Sequence, residues 1–409
     1  MRKAIVNLSQ PTLRSWVLGI LIILLPLPAV AQTTSFNPRI AFGAGYLDDV
    51  SYRGEAGQDD YYFRLAMMFP LTYENRKTRL ALTYSPYFER FQEFSDLDNI
   101  GLRFRFEVGH QPTQSSTINF TATYRRIEDQ GDAESLDDVD FFLIPRSLLE
   151  TRTASLGYRS RPAAGWGWGI NGGYGFNTST PIEAIEEEDP ILREEKEQYW
   201  ANIDVTRALS RSTDLGLRYG YRRFFNEITP EEWVHIVDFF VRREIAQRLS
   251  AEGSLGVFRR ERDIVPPLTD EDRYSQGLNV GVSISRQFQY TRLRFFAGHS
   301  PSGGGFRAGT STNTVASLTY SGSTGRYFSW SLSGRWAYRQ PTNELQDTTE
   351  AVSLRGFLER RLWRRVSVAF GPEYIRQVTG ENVREGYILR GLFGVVWYPL
   401  EKTRLGQGI

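Results

Sequence analysis

The chain of 409 residues contains no cysteine and has only three histidines. Without cysteine there is no disulfide framework and no thiolate metal site. His110, His235 and His299 lie far apart in the sequence and form no metal-ligand spacing, so we expect no metal and no cofactor. The 49 Lys and Arg residues nearly balance the 48 Asp and Glu residues, which gives no reason to expect nucleic acid as a partner.

Beyond residue 31 the sequence also lacks any apolar run that could cross a membrane as a helix, which needs about 20 residues. Within the first 31 residues, basic residues precede an apolar core from Trp16 to Leu27, and Ala29-Val30-Ala31 offers a small-x-small cleavage site. Pro26 and Pro28 interrupt this short core, which argues against an uncleaved anchor helix. We therefore assign residues 1–31 to a cleaved signal peptide.

Aromatic residues are abundant, at 14% of the chain, and apolar side chains recur at every second position. A period of two predicts an extended strand with two unlike faces. Seven residues of one face span about 20 Å, which is close to the apolar band of a membrane-spanning strand. The clearest example has tyrosine at both ends and consists of Tyr61, Phe63, Leu65, Met67, Phe69, Leu71 and Tyr73.

About eighteen segments follow this alternation, and the connections between them alternate in length. Gln111–Ser115 and Arg361–Arg364 are short, whereas 127–150 and 177–197 are long. Short periplasmic turns and long extracellular loops are typical of outer-membrane barrels. We therefore predict an all-β, transmembrane antiparallel β-barrel of about 18 strands over residues 32–400, with 16 strands as the second choice. Residues 401–409 are assigned to a short periplasmic tail.

Charged residues occupy the strand face opposite to the apolar one, which in a barrel lines the lumen. Arginines outnumber acids on this face, and rings of arginine favour anions in a pore. A lattice of ion pairs that stiffens the wall is an equally good interpretation of the same residues. The predicted pore-lining residues are Arg64, Arg103, Arg105, Glu107, Arg125, Arg218, Arg222, Arg242, Arg294, Arg335, Arg339, Arg355 and Arg390.

Tyr62, Tyr87 and Trp200 share the lumen-facing parity and are candidates for stacking on sugars. Gly167 to Gly172 matches a dinucleotide-binding pattern, but strand alternation continues through it to Phe176, where a true motif would open a helix. His299-Ser300 and His235 with Asp238 are the other candidates for catalysis, but a histidine at a strand end is more often an interfacial residue, so we do not expect an enzyme.

The signal peptide, the opening strand with Gly43-x-Gly45-Tyr46 and the eighteen-strand rhythm resemble the β-barrel porin families of bacterial outer membranes. The resemblance covers roughly residues 36–398 and depends on pattern more than on a sharp motif. The chain departs from the usual pattern at its end, because Glu401 to Ile409 follow the last aromatic residues instead of an aromatic terminus.

The group of porins that looks most similar is associated with exopolysaccharide export, so the resemblance implies an exit channel for a polysaccharide. A general or anion-preferring diffusion porin is the alternative, and a structural barrel with a sealed lumen is a further one. The expected partners are outer-membrane lipid and lipopolysaccharide, the barrel-assembly machinery and periplasmic polysaccharide-export components.

Overall fold

The protein is built from strands alone in the part of the chain that the computed structural model describes. That part comprises residues 33–48, 59–95, 98–127, 147–163, 165–181, 194–226, 231–263, 273–302, 311–325, 327–341, 348–379, 384–399 and 403–405. The predicted signal peptide lies outside these residues. Within them, no helix is long and apolar enough to cross a membrane.

Twenty strands form one sheet, and most of them are 12 to 17 residues long. In chain order they are β1 (Thr33–Phe36), β2 (Arg39–Leu47), β3 (Asp60–Glu74), β4 (Thr78–Phe91), β5 (Asn99–Thr113), β6 (Ser116–Ile127), β7 (Ser147–Ala163), β8 (Trp166–Pro181), β9 (Glu194–Ser210), β10 (Thr213–Asn226), β11 (Glu232–Ala246), β12 (Leu249–Arg262), β13 (Tyr274–Gln287), β14 (Thr291–Ser302), β15 (Ser311–Thr324), β16 (Phe328–Pro341), β17 (Thr349–Trp363), β18 (Val366–Thr379), β19 (Arg384–Trp397) and β20 (Thr403–Leu405).

The sheet closes on itself. Each strand from β2 to β19 pairs antiparallel with its sequence neighbour, and β19 returns to pair with β2 from Trp397↔Ile40 to Arg390↔Leu47. The result is a closed antiparallel barrel of 18 strands, so the predicted fold class is confirmed and the second choice of 16 strands is wrong. Closure leaves no open sheet edge, which is the condition for a sheet to exist in hydrocarbon.

The first and last strands of the barrel are each extended by a short segment at the turn end. β1 continues the register of β2 against β3, and Asn37-Pro38 separates the two because proline has no N–H for the ladder. β20 pairs with β1 through Phe36↔Thr403 and Thr34↔Leu405. Three of the residues assigned to a tail from the sequence, 403–405, are therefore paired with the barrel.

Connections between strands are short at one end of the barrel and long at the other. Two residues join β5 to β6 and two join β9 to β10, whereas 182–193 separate β8 from β9. Gly165 and Gly325 adopt positive φ values of 77° and 66° in short turns, a conformation that costs little without a Cβ atom. The predicted alternation of connections is confirmed, and the short turns mark the periplasmic end.

The two faces of the wall differ as the alternation predicts. Tyr61 and Phe63 are 60% and 49% exposed on the outer face, whereas Tyr62 between them is 1% exposed on the inner face. Large exposed apolar residues on other strands share the outer parity, among them Leu217, Leu255 and Phe393. Exposed apolar residues on so many neighbouring strands are not typical of a soluble protein, because soluble monomers rarely expose more than a few hundred Å² of contiguous apolar surface.

Phe104→Arg tests which face meets lipid. Phe104 lies on the outer face of β5, between Tyr84 and Tyr124 on the neighbouring strands. An arginine at the bilayer midplane costs roughly 2–4 kcal/mol on this face, so assembly should fall. The yield of folded barrel can be measured as the band whose migration changes on boiling.

Arg105→Ser is the matched control on the adjacent, inner position. The side chain of Arg105 is 62% exposed beside Glu107, and exposed ion pairs contribute at most about 1 kcal/mol. Normal assembly is expected. If Arg105→Ser blocked assembly while Phe104→Arg did not, the two faces would be reversed.

Candidate functional site: the barrel lumen

The inner face of the barrel collects the predicted pore-lining residues. β5 brings Arg103, Arg105 and Glu107 to this face, on the parity opposite to the exposed Ile100. The same alternation places other predicted residues inside, namely Arg64, Arg125, Arg218, Arg222, Arg242, Arg294, Arg335, Arg339 and Arg355. The backbone of Arg390 pairs with Glu373 and Leu47, and its side chain lies outside the described part of the structure.

Ion pairs bind several of these arginines to carboxylates of the wall. Arg355 Nη2 lies 2.6 Å from Glu373 Oε1, and Arg242 Nη2 lies 2.8 Å from Glu252 Oε2. Arg64 Nη1 lies 3.5 Å from Glu89 Oε1 in a nearly dry site, where the side chains are only 14% and 3% exposed. These ion pairs form part of the lattice that one of the two interpretations of the sequence predicts.

Three predicted arginines have no carboxylate within ion-pair distance among the described side chains. Arg218 lies over the ring of Phe240, 4.9 Å from its centroid. Arg222 donates from Nη1 to the backbone oxygen of Pro301 at 3.2 Å. Arg294 is exposed on the inner face of β14, between Ser285 and Thr319 of the neighbouring strands. Asp238 stands opposite Arg218 and interacts electrostatically with Arg218 and Arg222, so it offsets part of their charge. Arg294 faces only Ser285 and Thr319 at its directly paired positions, and it leaves positive charge on the lumen wall.

The extracellular half of the lumen is packed with buried side chains, which include apolar clusters beside ion pairs such as Arg64–Glu89 and Arg262–Glu232. Leu47 and Phe91 end β2 and β4 beside the long connections, and Ile127 ends β6. All three are buried although they point inward. Leu47 and Phe91 belong to one apolar cluster and Ile127 to a second. Four such clusters of buried residues are built from Leu47, Tyr62, Phe91 and Ile375; Tyr87, Ile127 and Leu149; Phe224, Val234, Ile236 and Phe258; and Val315, Ala337 and Ala351.

The periplasmic half of the lumen is open and charged. Here the inner side chains of Arg105 and Arg159 are 62% and 53% exposed. Arg242, four residues before the end of β11, is also well exposed. The inner side chains thus change from exposed arginines in the periplasmic half to buried side chains in the extracellular half.

Five inward-facing rings lie along the wall, and each of them sits over a glycine on a neighbouring strand. Tyr87 stands directly opposite Gly101, and a Cβ atom on Gly101 would overlap its ring. The absent side chain leaves the space that the ring occupies, as in rings that cover strand glycines. The same arrangement recurs in the pairs Tyr62–Gly45, Trp200–Gly173, Phe240–Gly216 and Phe258–Gly277.

These pairs correct the predicted sugar-stacking role of two tyrosines. Tyr62 and Tyr87 are only 1% and 4% exposed. Tyr62 packs on Phe91, and the guanidinium of Arg64 lies 4.6 Å from the ring centroid of Tyr87. Their faces are covered, so both serve in packing. Trp200 remains partly exposed, and its stacking on sugars stays a prediction.

Several functional residues were missed because their pairing depends on neighbouring strands. Glu89 was not among the predicted wall acids, although it is buried against Arg64. Arg262 and Glu232 form a nearly buried pair at 2.7 Å, and Arg260 donates to the backbone oxygen of Ser311 at 3.1 Å. The alternation in the sequence places Glu89 on β4 and Arg260 and Arg262 on β12 on the inner face. The sequence does not show the register of the neighbouring strands, which decides the partner of each side chain.

The three histidines do not gather into a site. His110, His235 and His299 lie on different strands, where the Nδ1 atoms contact the hydroxyls of Thr78, Tyr219 and Thr314 respectively at 2.8–2.9 Å. Among the described residues no group of three or more His, Asp or Glu side chains is arranged to hold a metal ion.

No protein-family model matches the chain, and no curated protein matches it. Solved structures with some likeness include OccK2 (OpdF) from Pseudomonas aeruginosa, with 11% identity, a TM-score of 0.45 and coverage of 91% of this chain and 99% of that one. A BenF-like porin from Pseudomonas fluorescens has 7% identity, a TM-score of 0.45 and coverage of 90% and 98%.

The FrpB iron transporter from Neisseria meningitidis has 10% identity, a TM-score of 0.42 and coverage of 85% of this chain; the chain spans 63% of the length of that transporter. None of these values is high enough to transfer a ligand or a mechanism. The location follows from the barrel itself: a closed wall of 18 strands with an apolar outside and a charged inside is a bacterial outer-membrane protein.

Gly101→Ala tests whether a glycine holds the ring of Tyr87 against the wall. The added methyl group overlaps the ring and forces it toward the lumen, and such overpacking costs about 1–3 kcal/mol. We expect a lower midpoint of thermal unfolding in detergent. Gly109→Ala on the same strand and face is the control, since its Cβ atom would meet nothing closer than 3.6 Å. Equal midpoints for the two variants would contradict this role.

Glu89→Gln tests the buried ion pair with Arg64. Removing one partner of a buried pair leaves an uncompensated charge and costs about 3–5 kcal/mol. The unfolding midpoint in detergent should therefore fall clearly. Glu252→Gln breaks the more exposed pair with Arg242 and should cost less than about 1 kcal/mol. The assignment fails if Glu252→Gln is as destabilising as Glu89→Gln.

Proposed function

We propose that the protein is a diffusion channel of the outer membrane for small solutes, with a preference for anions. The observation that carries this proposal is the set of exposed arginines inside a closed wall, above all Arg294, which has no ion-pair partner among the described side chains. Charged side chains that line a pore set the sign of the ions that it favours.

The wall ion pairs limit how large this preference can be. Pairs such as Arg355–Glu373 and Arg242–Glu252 contribute little net field in the lumen. Asp238 offsets part of the charge of Arg218 and Arg222, so the remaining positive charge comes mainly from Arg294 on β14. A modest preference for anions follows, which differs from the strict selection of one ligand.

Export of a polysaccharide, the function implied by the resemblance, has less support than diffusion of small solutes. The extracellular half of the lumen is packed with apolar clusters, and two of the three rings predicted to stack on sugars are covered. A sugar polymer would need a continuous polar and aromatic track through this half. Small solutes require only a narrow polar gap beside the packed side chains.

A structural barrel with a sealed lumen is the second candidate, and the packed extracellular half favours it. The two candidates differ in one measurable property. A channel conducts ions across a planar bilayer after reconstitution of the purified protein, and a sealed barrel does not.

Arg294→Ser tests the preference for anions. A unit charge about 10 Å away across water attracts an anion and repels a cation by roughly 0.4 kcal/mol each, so its loss should lower the anion-to-cation permeability ratio about fourfold at low salt. The reversal potential in a salt gradient measures this ratio.

Arg286→Ser is the matched control for the same experiment. Arg286 is an arginine of the adjacent strand on the outer face, where its guanidinium lies 4.6 Å from the ring centroid of Phe288. Its loss should leave the reversal potential unchanged. A wild-type protein without conductance would exclude the channel, and an equal ratio in wild type and Arg294→Ser would exclude the role of Arg294.

A further inference from the structure

The outer face of β10 to β13 carries a row of polar side chains where an apolar row is expected. Direct cross-strand pairing aligns Tyr221 with His235, His235 with Arg259, and Arg259 with Gln276. All have the parity of the exposed outer residues, and Arg259 and Gln276 are exposed. We call these four residues the outer cationic patch.

The outer cationic patch lies at the upper border of the apolar belt. The next outward row toward the periplasm is Tyr219, Val237, Val257 and Leu278, and each of them is more than 40% exposed. The next row toward the long loops contains Arg223, Trp233, Glu261 and Tyr274. The patch therefore stands where acyl chains end and headgroups begin in the extracellular leaflet.

Arg259 differs from other outward arginines near this level. Arg152, Arg223 and Arg273 form ion pairs with Glu150, Glu231 and Glu261, respectively. The guanidinium of Arg259 lies 4.7 Å from the ring centroid of Tyr274, and no carboxylate among the described side chains pairs with it. Arg273, the ion-pair partner of Glu261, lies 5.3 Å from the centroid of the same ring. Two guanidinium groups and one carboxylate therefore surround Tyr274, and one positive charge is in excess among these described side chains.

The neighbours of Arg259 add hydrogen-bonding groups of the right kind. The hydroxyl of Tyr219 contacts His235 Nδ1 at 2.8 Å, which leaves Nε2 as the remaining ring nitrogen. The rings of Tyr219 and Tyr221 lie 6.2 Å and 5.3 Å from the ring of His235 and support it. The Gln276 amide adds two further donors. A guanidinium flanked by such groups matches the oxygens of a phosphate.

We propose that the outer cationic patch binds the phosphate of a phosphorylated glycolipid in the outer leaflet, with Arg259 as the main contact. The positive charge in excess of Glu261 at this border of the hydrocarbon favours an added anion, and a lipid phosphate is the anion held at this depth. The apolar row beneath the patch, from Tyr219 to Leu278, supplies the surface for the acyl chains. The site lies outside the lumen and does not depend on transport.

The test compares lipid binding by the purified mature chain folded in detergent. Lipid A with its phosphates, lipid A from which the phosphates have been removed, and inorganic phosphate are the three probes, and native mass spectrometry measures the bound fraction. Arg259→Gln should weaken binding of phosphorylated lipid A about tenfold, as loss of a charge-assisted contact implies. Arg286→Gln, an outward arginine at the periplasmic end that also lies on a ring, should bind like wild type.

Three results would overturn the proposal: equal binding by Arg259→Gln and Arg286→Gln, equal binding of both forms of lipid A, or displacement of lipid A by inorganic phosphate at equal concentration. The last result would identify a site for free phosphate. The shift in gel migration on boiling verifies that each variant is folded. Ion conductance of Arg259→Gln should equal that of wild type, so failure of this proposal is distinguishable from failure of the channel.

Discussion

The structure depends on one constraint: every backbone N–H and C=O group within hydrocarbon needs a partner in the protein. A sheet meets this condition only when it closes, and the pairing of β19 with β2 provides the closure. The seam is completed near the turns by β1 and β20, where Pro38 interrupts the ladder. Closure fixes the two environments of the wall, and alternation along each strand then assigns every side chain to lipid or lumen.

The inner face has to reconcile bulky and charged side chains with an open interior. Glycines opposite Tyr62, Tyr87, Trp200, Phe240 and Phe258 let these rings lie along the wall. Carboxylates such as Glu89 and Glu373 form ion pairs with arginines of the adjacent strands and hold these arginines along the wall. Both devices remove side chains from the passage, and they account for a wall that is rich in Arg, Tyr and Phe.

The two ends of the barrel serve different physical purposes. Apolar clusters occupy the lumen near the long loops, whereas exposed arginines line it near the short turns. On the outside the same extracellular level carries Arg259 without a carboxylate partner among the described side chains. Transport and lipid contact are therefore assigned to separate surfaces of one wall, and substitutions on the two surfaces can be interpreted independently.

The period-two pattern of the sequence was sufficient to predict the all-β class and the inward parity of residues such as Arg105, because both are local along one strand. The spacing of the strands predicted the alternation of turns and loops and about 18 strands, and the closed pairing of the sheet excluded 16. The sequence could not show that Tyr62 and Tyr87 are covered, that Glu89 compensates Arg64, or that Arg259 stands beside His235. Those relations join residues on different strands, and only the register of the closed sheet decides which side chains face each other across a pair.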